Sequence, residues 1–451
     1  MAKASPLFPA SALRIATALA LLYSALHFLS SGVRQPFDHP NLAKFGEQAT
    51  PLREHIATGA PVHSPNPEQY GPVFFFVMHP LLRGAPGEQA LANWLYVIQL
   101  LCLAGSFLLT AAVLKPLVPT PDKDTWPLIV AWLAVVWLNF SPLYTILALK
   151  SVETWELLLV SLGLYAYLRQ WRWTAAVAIS AAGLVKVLPF AFLYYWLITD
   201  RRTLAYACVV LVALLFASHL LYGPEMGVFY LPHVIAGAVG NSYGLDWHEN
   251  TSLKAAFVKL FGHLALPSHD AARTSGYFVV LTGWRRTAAV VLGDASVLIG
   301  VAWLTWTWLA SRGSRSRERT LWEWSGLAVV ILILSPNTIF EYATVALGAI
   351  SYVLVRLVAE PRRPVADWLI YIVSLLLLGG LIPRQWLNRL TMIDVLNRWT
   401  GLTHLMPSEA YQYYCFPLAG LMLLLLTIWR LKPAFSERQP PDPGNGFKTR
   451  S

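Results

Sequence analysis

The stretch TAAVAISAAGLVKVLPFAFLYYWLIT, residues 174–199, is apolar and long enough to cross a bilayer, yet Lys186 and Pro189 stand near its middle. An ammonium at mid-bilayer costs between ~2.5 and ~17 kcal/mol depending on how far it can snorkel, so such a lysine needs an anionic partner or a wet cavity. Both flanks are basic, RQWR at 169–172 and DRR at 200–202. Arginine and lysine gather in short cytoplasmic loops, and a single crossing cannot have both ends there. The stretch therefore reads as a hairpin: residues 174 to about 186 enter, the chain breaks near Pro189, and 190–199 return. At about 1.5 Å per residue the entering limb covers roughly 18 Å, short of the roughly 30 Å hydrocarbon core. Lys186 then sits at the tip, where broken backbone is tolerated only against protein or water.

The rest of the chain agrees with a membrane reading. Of 451 residues, 56% are hydrophobic and only 13% charged, the composition of an all-α polytopic membrane protein. The net charge of +10 is carried by short loops such as RGSRSRER (312–319) and EPRR (360–363), which sets topology and excludes a nucleic-acid partner. Cys102, Cys208 and Cys415 lie in or beside apolar runs without ligand spacing, so neither a disulfide framework nor a metal site is expected. The run 11–30 lacks a small-residue cleavage site and reads as an uncleaved first helix. Apolar runs separated by basic loops predict a bundle of about twelve transmembrane helices. They form one domain over 1–432, followed by a disordered cytoplasmic tail, 433–451.

Three long segments, about 32–90, 223–286 and 383–410, are left for the outer, extracytoplasmic side, with short amphipathic helices in them. All histidines but His27 and His219 fall there, and titratable groups mark where chemistry happens. In the first segment, FGEQATPLREHIATG reads as an amphipathic helix ending at a glycine cap, and Val73 to Leu82 is too short to span. Asp38 and Glu47 are the acids nearest the first helix; either is a candidate general base for a hydroxyl acceptor. The sequence LALKSVETWELLLV places Lys150, Glu153 and Glu156 where a helix meets the membrane, with Lys150, Lys186 or a substrate as partners for the acids. Asp246, His248, Glu249 and Asn250 open a further helix, with Asn250 or Thr251 as its N-cap, in an aromatic and acidic cluster suited to a sugar. Arg285 and Arg286 read as interfacial anchors or a phosphate clamp. Glu341 and Tyr342 follow a break at Pro336; Glu341 reads equally as an acid stabilised by a helix N-terminus.

Taken in this order, the segments resemble glycosyltransferase family 87, membrane mannosyltransferases of the GT-C fold. The resemblance rests on an acid soon after the first helix, the glycine-ended helix followed by QYGP, Lys186 and Pro189 as KxxP, and Asn250, Ser252 and Leu253 as NxSL. A later signature survives in Ser335, Pro336 and Tyr342, with Glu341 where the family commonly has histidine, and KSVE at 150–153 replaces a polar GQxN type of helix start. The resemblance implies a polyprenyl-phosphate sugar donor, a glycolipid or glycan acceptor, no cofactor and no metal. It further implies Lys186, with Arg285 and Arg286, at the donor phosphate. Glu153, Asp246, His248, Glu249, Asn250, Glu341 and Tyr342 would face sugar or acceptor, and Glu47 or Asp38 would act as base. The expected location is the inner cell membrane with the active site facing the periplasm. A transporter of lipid-linked sugars, or a non-catalytic subunit of an envelope-synthesis complex, is the competing reading.

Overall fold

The computed structural model describes residues 10–34, 43–63, 70–118, 125–239, 247, 249–265, 278–309, 315–360, 363–380, 391–400 and 407–433. The first helices are α1 (Ala10–His27), running on as a π-helical turn to Arg34, α2 (Ala43–Thr58), α3 (Pro72–Gly84) and α4 (Glu88–Leu114). Next come α5 (Thr125–Leu138), α6 (Ser141–Leu149), α7 (Glu153–Leu168), α8 (Arg172–Val185), α9 (Ala191–Thr199) and α10 (Arg201–Tyr222). Then follow α11 (Tyr230–Val239), α12 (Leu253–Phe261), α13 (Trp284–Leu309), α14 (Arg317–Leu334) and α15 (Leu347–Ala359), the last preceded by a 3-10 stretch, Phe340–Ala346. The C-terminal helices are α16 (Val365–Leu377), α17 (Thr391–Thr400), α18 (Pro407–Tyr413) and α19 (Phe416–Arg430). The described residues are helical apart from loops and a ribbon between α12 and α13, in which β1 (His263–Ala265) pairs antiparallel with β2 (Phe278–Val280), His263 opposite Val280.

Among the described residues, 5 helical stretches suit a membrane crossing by length and composition: Arg14–Arg34, Glu88–Leu117, Arg201–Tyr222, Trp284–Leu309 and Phe340–Ala359. A sixth is the α5–α6 pair, bent by 56°. The count of about twelve crossings is thus not confirmed, because apolar runs that read as spans are cut into pieces. The helices α8, α9, α16 and α19 have 14, 9, 13 and 15 residues. Even the longest of them reaches only ~22 Å.

The bend between α5 and α6 is sheltered by protein, as broken backbone in an apolar medium must be. At the α5–α6 bend, Asn139 Nδ2 donates to Ser24 Oγ at 2.6 Å and to Val135 O at 2.8 Å, and Ser141 N donates to Gly379 O at 2.9 Å. Gly379 has φ +71, a conformation glycine takes without steric cost. Burial differs along the bundle: α14 and the Phe340–Ala359 stretch are largely buried, whereas α1, α10 and α13 present apolar faces outward, with Leu19, Val212 and Leu298 exposed. Small residues bring α7 and α8 into close contact: Gly163 lies against the Ile179 side chain, and Ala175, Ala176, Ala182 and Gly183 are buried.

Candidate functional site

Lys186 is where the opening stretch turns. It caps α8 in an extended conformation, φ −152 and ψ 142, with its amide donating to Ala182 O at 2.9 Å. A single 3-10 turn, Leu188–Phe190, then starts α9. Pro189 within that turn has no N–H to continue a helical ladder. The chain folds back closely enough that a Cβ on Gly183 would overlap the Phe190 ring. At the other end, Arg172 Nε lies 3.5 Å from Asp200 Oδ2, joining the feet of the two limbs. The hairpin read from the flanking charges is therefore the geometry found.

The cation at the tip has the anionic partner its burial requires. Lys186 is 6% exposed, its Nζ donates to Glu153 Oε1 at 2.5 Å, and it lies 3.6 Å from the centroid of the Tyr342 ring. Glu153 is the first residue of α7 and Glu156 sits in the same turn, where the helix dipole favours carboxylates. Both are 1% exposed, and Glu156 Oε1 is buried without a hydrogen-bond partner among the described residues. Of the partners weighed for Glu153, Lys186 holds the contact. Lys150 instead ends α6 in a left-handed conformation, φ 53, with Nζ 3.3 Å from Ala148 O and 5.8 Å from the Tyr96 ring centroid.

The first long segment closes on this pair. Helix α2 ends as expected at a left-handed Gly59, φ +74, whose amide donates to His55 O at 2.8 Å. Further on, Gly71 N donates to Val185 O at 3.1 Å, satisfying a carbonyl at the broken end of α8. Gly71 sits so near that a Cβ there would collide with the Leu184 carbonyl and the Tyr230 hydroxyl. Tyr70, 5% exposed, lies within electrostatic reach of Glu153, Lys186, Tyr342 and Glu341. The stretch Val73 to Leu82, too short to span, belongs to α3, which buries Phe74, Phe75 and Met78 and packs on α8. Of the two candidate bases, Asp38 lies outside the described residues, and Glu47 is placed only as a position on α2.

The second long segment reaches the pair through Tyr342. Asn250 Oδ1 accepts from Ser252 N at 3.0 Å and from Thr338 N at 3.1 Å, while its Nδ2 donates to Pro336 O at 2.9 Å. Thr251 Oγ1 adds a bond to Thr338 O at 2.9 Å. The Asn250 amide thus clips this segment to the break between α14 and the 3-10 stretch that carries Glu341 and Tyr342. The cap of α12 is Ser252, whose Oγ accepts from Ala255 N at 3.2 Å, and not Asn250 or Thr251 as expected: Asn250 stands before the cap position and is engaged at Thr338. Glu249 and Trp247 are described, whereas Asp246 and His248 lie outside the described residues. Arg285 and Arg286 stand exposed in the first turn of α13, which fits the anchoring reading.

Four contributors were not singled out in sequence. Tyr70 and Gly71 stand in the QYGP turn, where a glycine before proline signals close backbone approach. Tyr230 carried no pattern. Lys259 lies one helical turn and more past the NxSL motif, and its Nζ donates to Asn250 O at 2.6 Å and Gln412 O at 3.0 Å, tying the second segment to the chain just before α19. Burial lowers the Lys259 pKa, with the Cys415 thiol and Glu249 pulling the other way.

The family model of glycosyltransferase family 87 matches residues 69–336, more than half of the 451-residue chain. The matched span holds Tyr70, Gly71, Glu153, Lys186, Pro189 and the Asn250 clip up to Pro336; Asp38, Glu47, Glu341 and Tyr342 fall outside it. No curated protein matches the chain. A helical membrane-type architecture, a buried lysine at a helix break and this match agree, and the chain belongs to glycosyltransferase family 87, which makes it a glycosyltransferase acting between a sugar donor and an acceptor.

Proposed function

We propose that this protein moves a hexose, mannose in the first instance, from a polyprenyl-phosphate donor to a glycolipid or glycan acceptor, on the outer face of the cell membrane. The observation that carries the reading is Lys186 at a sheltered helix break, held by Glu153 and the Tyr342 ring. A lysine ammonium has three N–H donors, and Glu153 takes one of them, which fixes the head and leaves donors for a phosphate oxygen. In the reaction the acceptor oxygen bonds to the anomeric carbon as the bond from that carbon to the phosphate oxygen breaks. The electron pair leaves with the polyprenyl phosphate, whose charge Lys186 stabilises. The acceptor proton passes to a carboxylate, Glu47 or Asp38, and the sugar carbon crosses an oxocarbenium-like state with inversion. The other acids and Tyr342 line the sugar side, and Arg285 and Arg286 remain available to the membrane-surface portion of the donor.

The test is transfer in membranes from radiolabelled polyprenyl-phosphate-mannose into total lipid extract. Wild type is expected to give labelled product, and Lys186→Ala with one of Glu47→Gln or Asp38→Asn to lower it at least a hundredfold, the scale of a lost general base or charge stabiliser. No product from wild type with any polyprenyl-phosphate sugar would reject this donor class.

A further inference from the structure

A polar cavity opens where α8 begins, a whole helix away from Lys186: α8 has 14 residues, about 21 Å at 1.5 Å each. The cleft measures about 640 Å³, large enough for a charged headgroup. Arg172, Arg201, Arg202, Arg315 and Arg317 line it, against one lining carboxylate, Asp200. Two of these arginines are answered locally. Arg172 lies 3.5 Å from Asp200, a carboxylate that also accepts from Arg202 N and Thr203 N to cap α10. Arg315 shares the buried Glu323 with Arg319, each at 3.0 Å, and the Tyr195 hydroxyl donates to the same carboxylate at 2.9 Å.

That leaves Arg201, Arg202 and Arg317, for which no carboxylate partner is found among the described residues. Arg317 donates one Nη2 bond to Val113 O at 3.2 Å, while its Nε is buried with no hydrogen-bond partner among the described residues. Here three arginines border one cavity, Arg201 and Arg202 with exposed side chains and Arg317 with a buried, unsatisfied Nε–H, an arrangement that an oxyanion completes by charge-assisted bonds.

We propose that this cleft binds a phosphate-bearing anion, held by Arg201, Arg202 and Arg317. The ligand chemistry is a phosphate mono- or diester carrying net negative charge, and its source is either an anionic lipid headgroup or a soluble phosphate. The proposal is independent of which sugar donor is used at Lys186.

Native mass spectrometry of the full-length, delipidated protein in detergent tests it, with phosphatidic acid, diacylglycerol, inorganic phosphate and pyrophosphate as probes. Wild type is expected to retain phosphatidic acid, or one of the soluble phosphates, well above diacylglycerol. The Arg201→Gln, Arg317→Gln double variant is expected to bind at least about tenfold more weakly, the scale of losing charged hydrogen bonds. Arg363→Gln, outside the cleft, is expected to bind as wild type does. Retention of phosphatidic acid alone assigns a lipid source, and retention of phosphate or pyrophosphate a soluble one. Arg202→Gln is the second variant: its exposed side chain bears on no packing, and a severalfold loss is expected even where the double variant does not fold. Wild type binding none of the phosphates above diacylglycerol, or binding undiminished in folded variants, overturns the proposal.

Discussion

The contact between Lys186 and Glu153 is the most consequential at the scale of single residues. Two charges removed from water are stabilised chiefly by one another, so removing either leaves the other stranded. Lys186→Ala and Glu153→Ala are each expected to cost about 3–5 kcal/mol of stability, while Lys186→Met combined with Glu153→Leu recovers most of it. Thermal melting of the purified variants in detergent checks this; a double variant as unstable as the singles would show that the pair is not the stabilising unit. Asn250 is a neutral counterpart, satisfying two amides and one carbonyl between segments far apart in sequence. With each hydrogen bond worth about 0.5–1.5 kcal/mol net, Asn250→Ala should cost about 2–4 kcal/mol. Asn250→Asp should not rescue it, since its second oxygen would face the Pro336 carbonyl. A wild-type melting temperature for Asn250→Asp would mean that the amide donor is not used.

Among the elements, the decisive meeting is between the turn before α3 and the broken end of α8. Gly71 approaches backbone, the Leu184 carbonyl, which cannot swing aside as a side chain does. Gly71→Ala is therefore expected to cost about 1–3 kcal/mol and to displace the Lys186 tip. Gly59, by contrast, has open space where a Cβ would be and only its left-handed φ of +74 to defend. Gly59→Ala should cost about 1 kcal/mol. Measured side by side, transfer activity should fall much further in Gly71→Ala; equal losses would remove the turn from the site. The QYGP motif was legible as a turn from its proline and glycine alone. Which backbone it would touch was not, because Val185 is more than a hundred residues away in the chain and no local rule links them.

On the scale of the whole molecule, the hairpin fixes topology. Both feet of the Lys186 hairpin meet at Arg172 and Asp200, which predicts that residues just before and just after it lie on one side of the membrane. In a cysteine-free background, Gln170→Cys and Arg202→Cys should label with an impermeant thiol reagent from the same side, and a residue such as Thr58→Cys from the other. Labelling of Gln170→Cys and Arg202→Cys from opposite faces would make the stretch a plain crossing and put Lys186 in the hydrocarbon. The charges that predicted this were visible in sequence because topology follows the flanking arginines of each segment. The number of spans was not visible in the same way. Hydropathy reports that a run is apolar, not that it is straight, and the run bent by 56° between α5 and α6 reads like an intact one.

The sequence by itself determined that this is a helical membrane protein, that a lysine stands at a helix break and needs an anion, and that its motifs follow the order of glycosyltransferase family 87. Each of these depends on composition or on residues close together in the chain. Tertiary structure alone decided that the anion is Glu153 rather than a partner of Lys150, that Tyr342 covers the ammonium, and that Asn250 serves as a clip while Ser252 caps α12. Those choices join residues from α7, α8 and the stretch before α15. Several acids of similar type competed for the same cation, and packing in three dimensions selects among chemically equivalent partners that a linear pattern leaves equal.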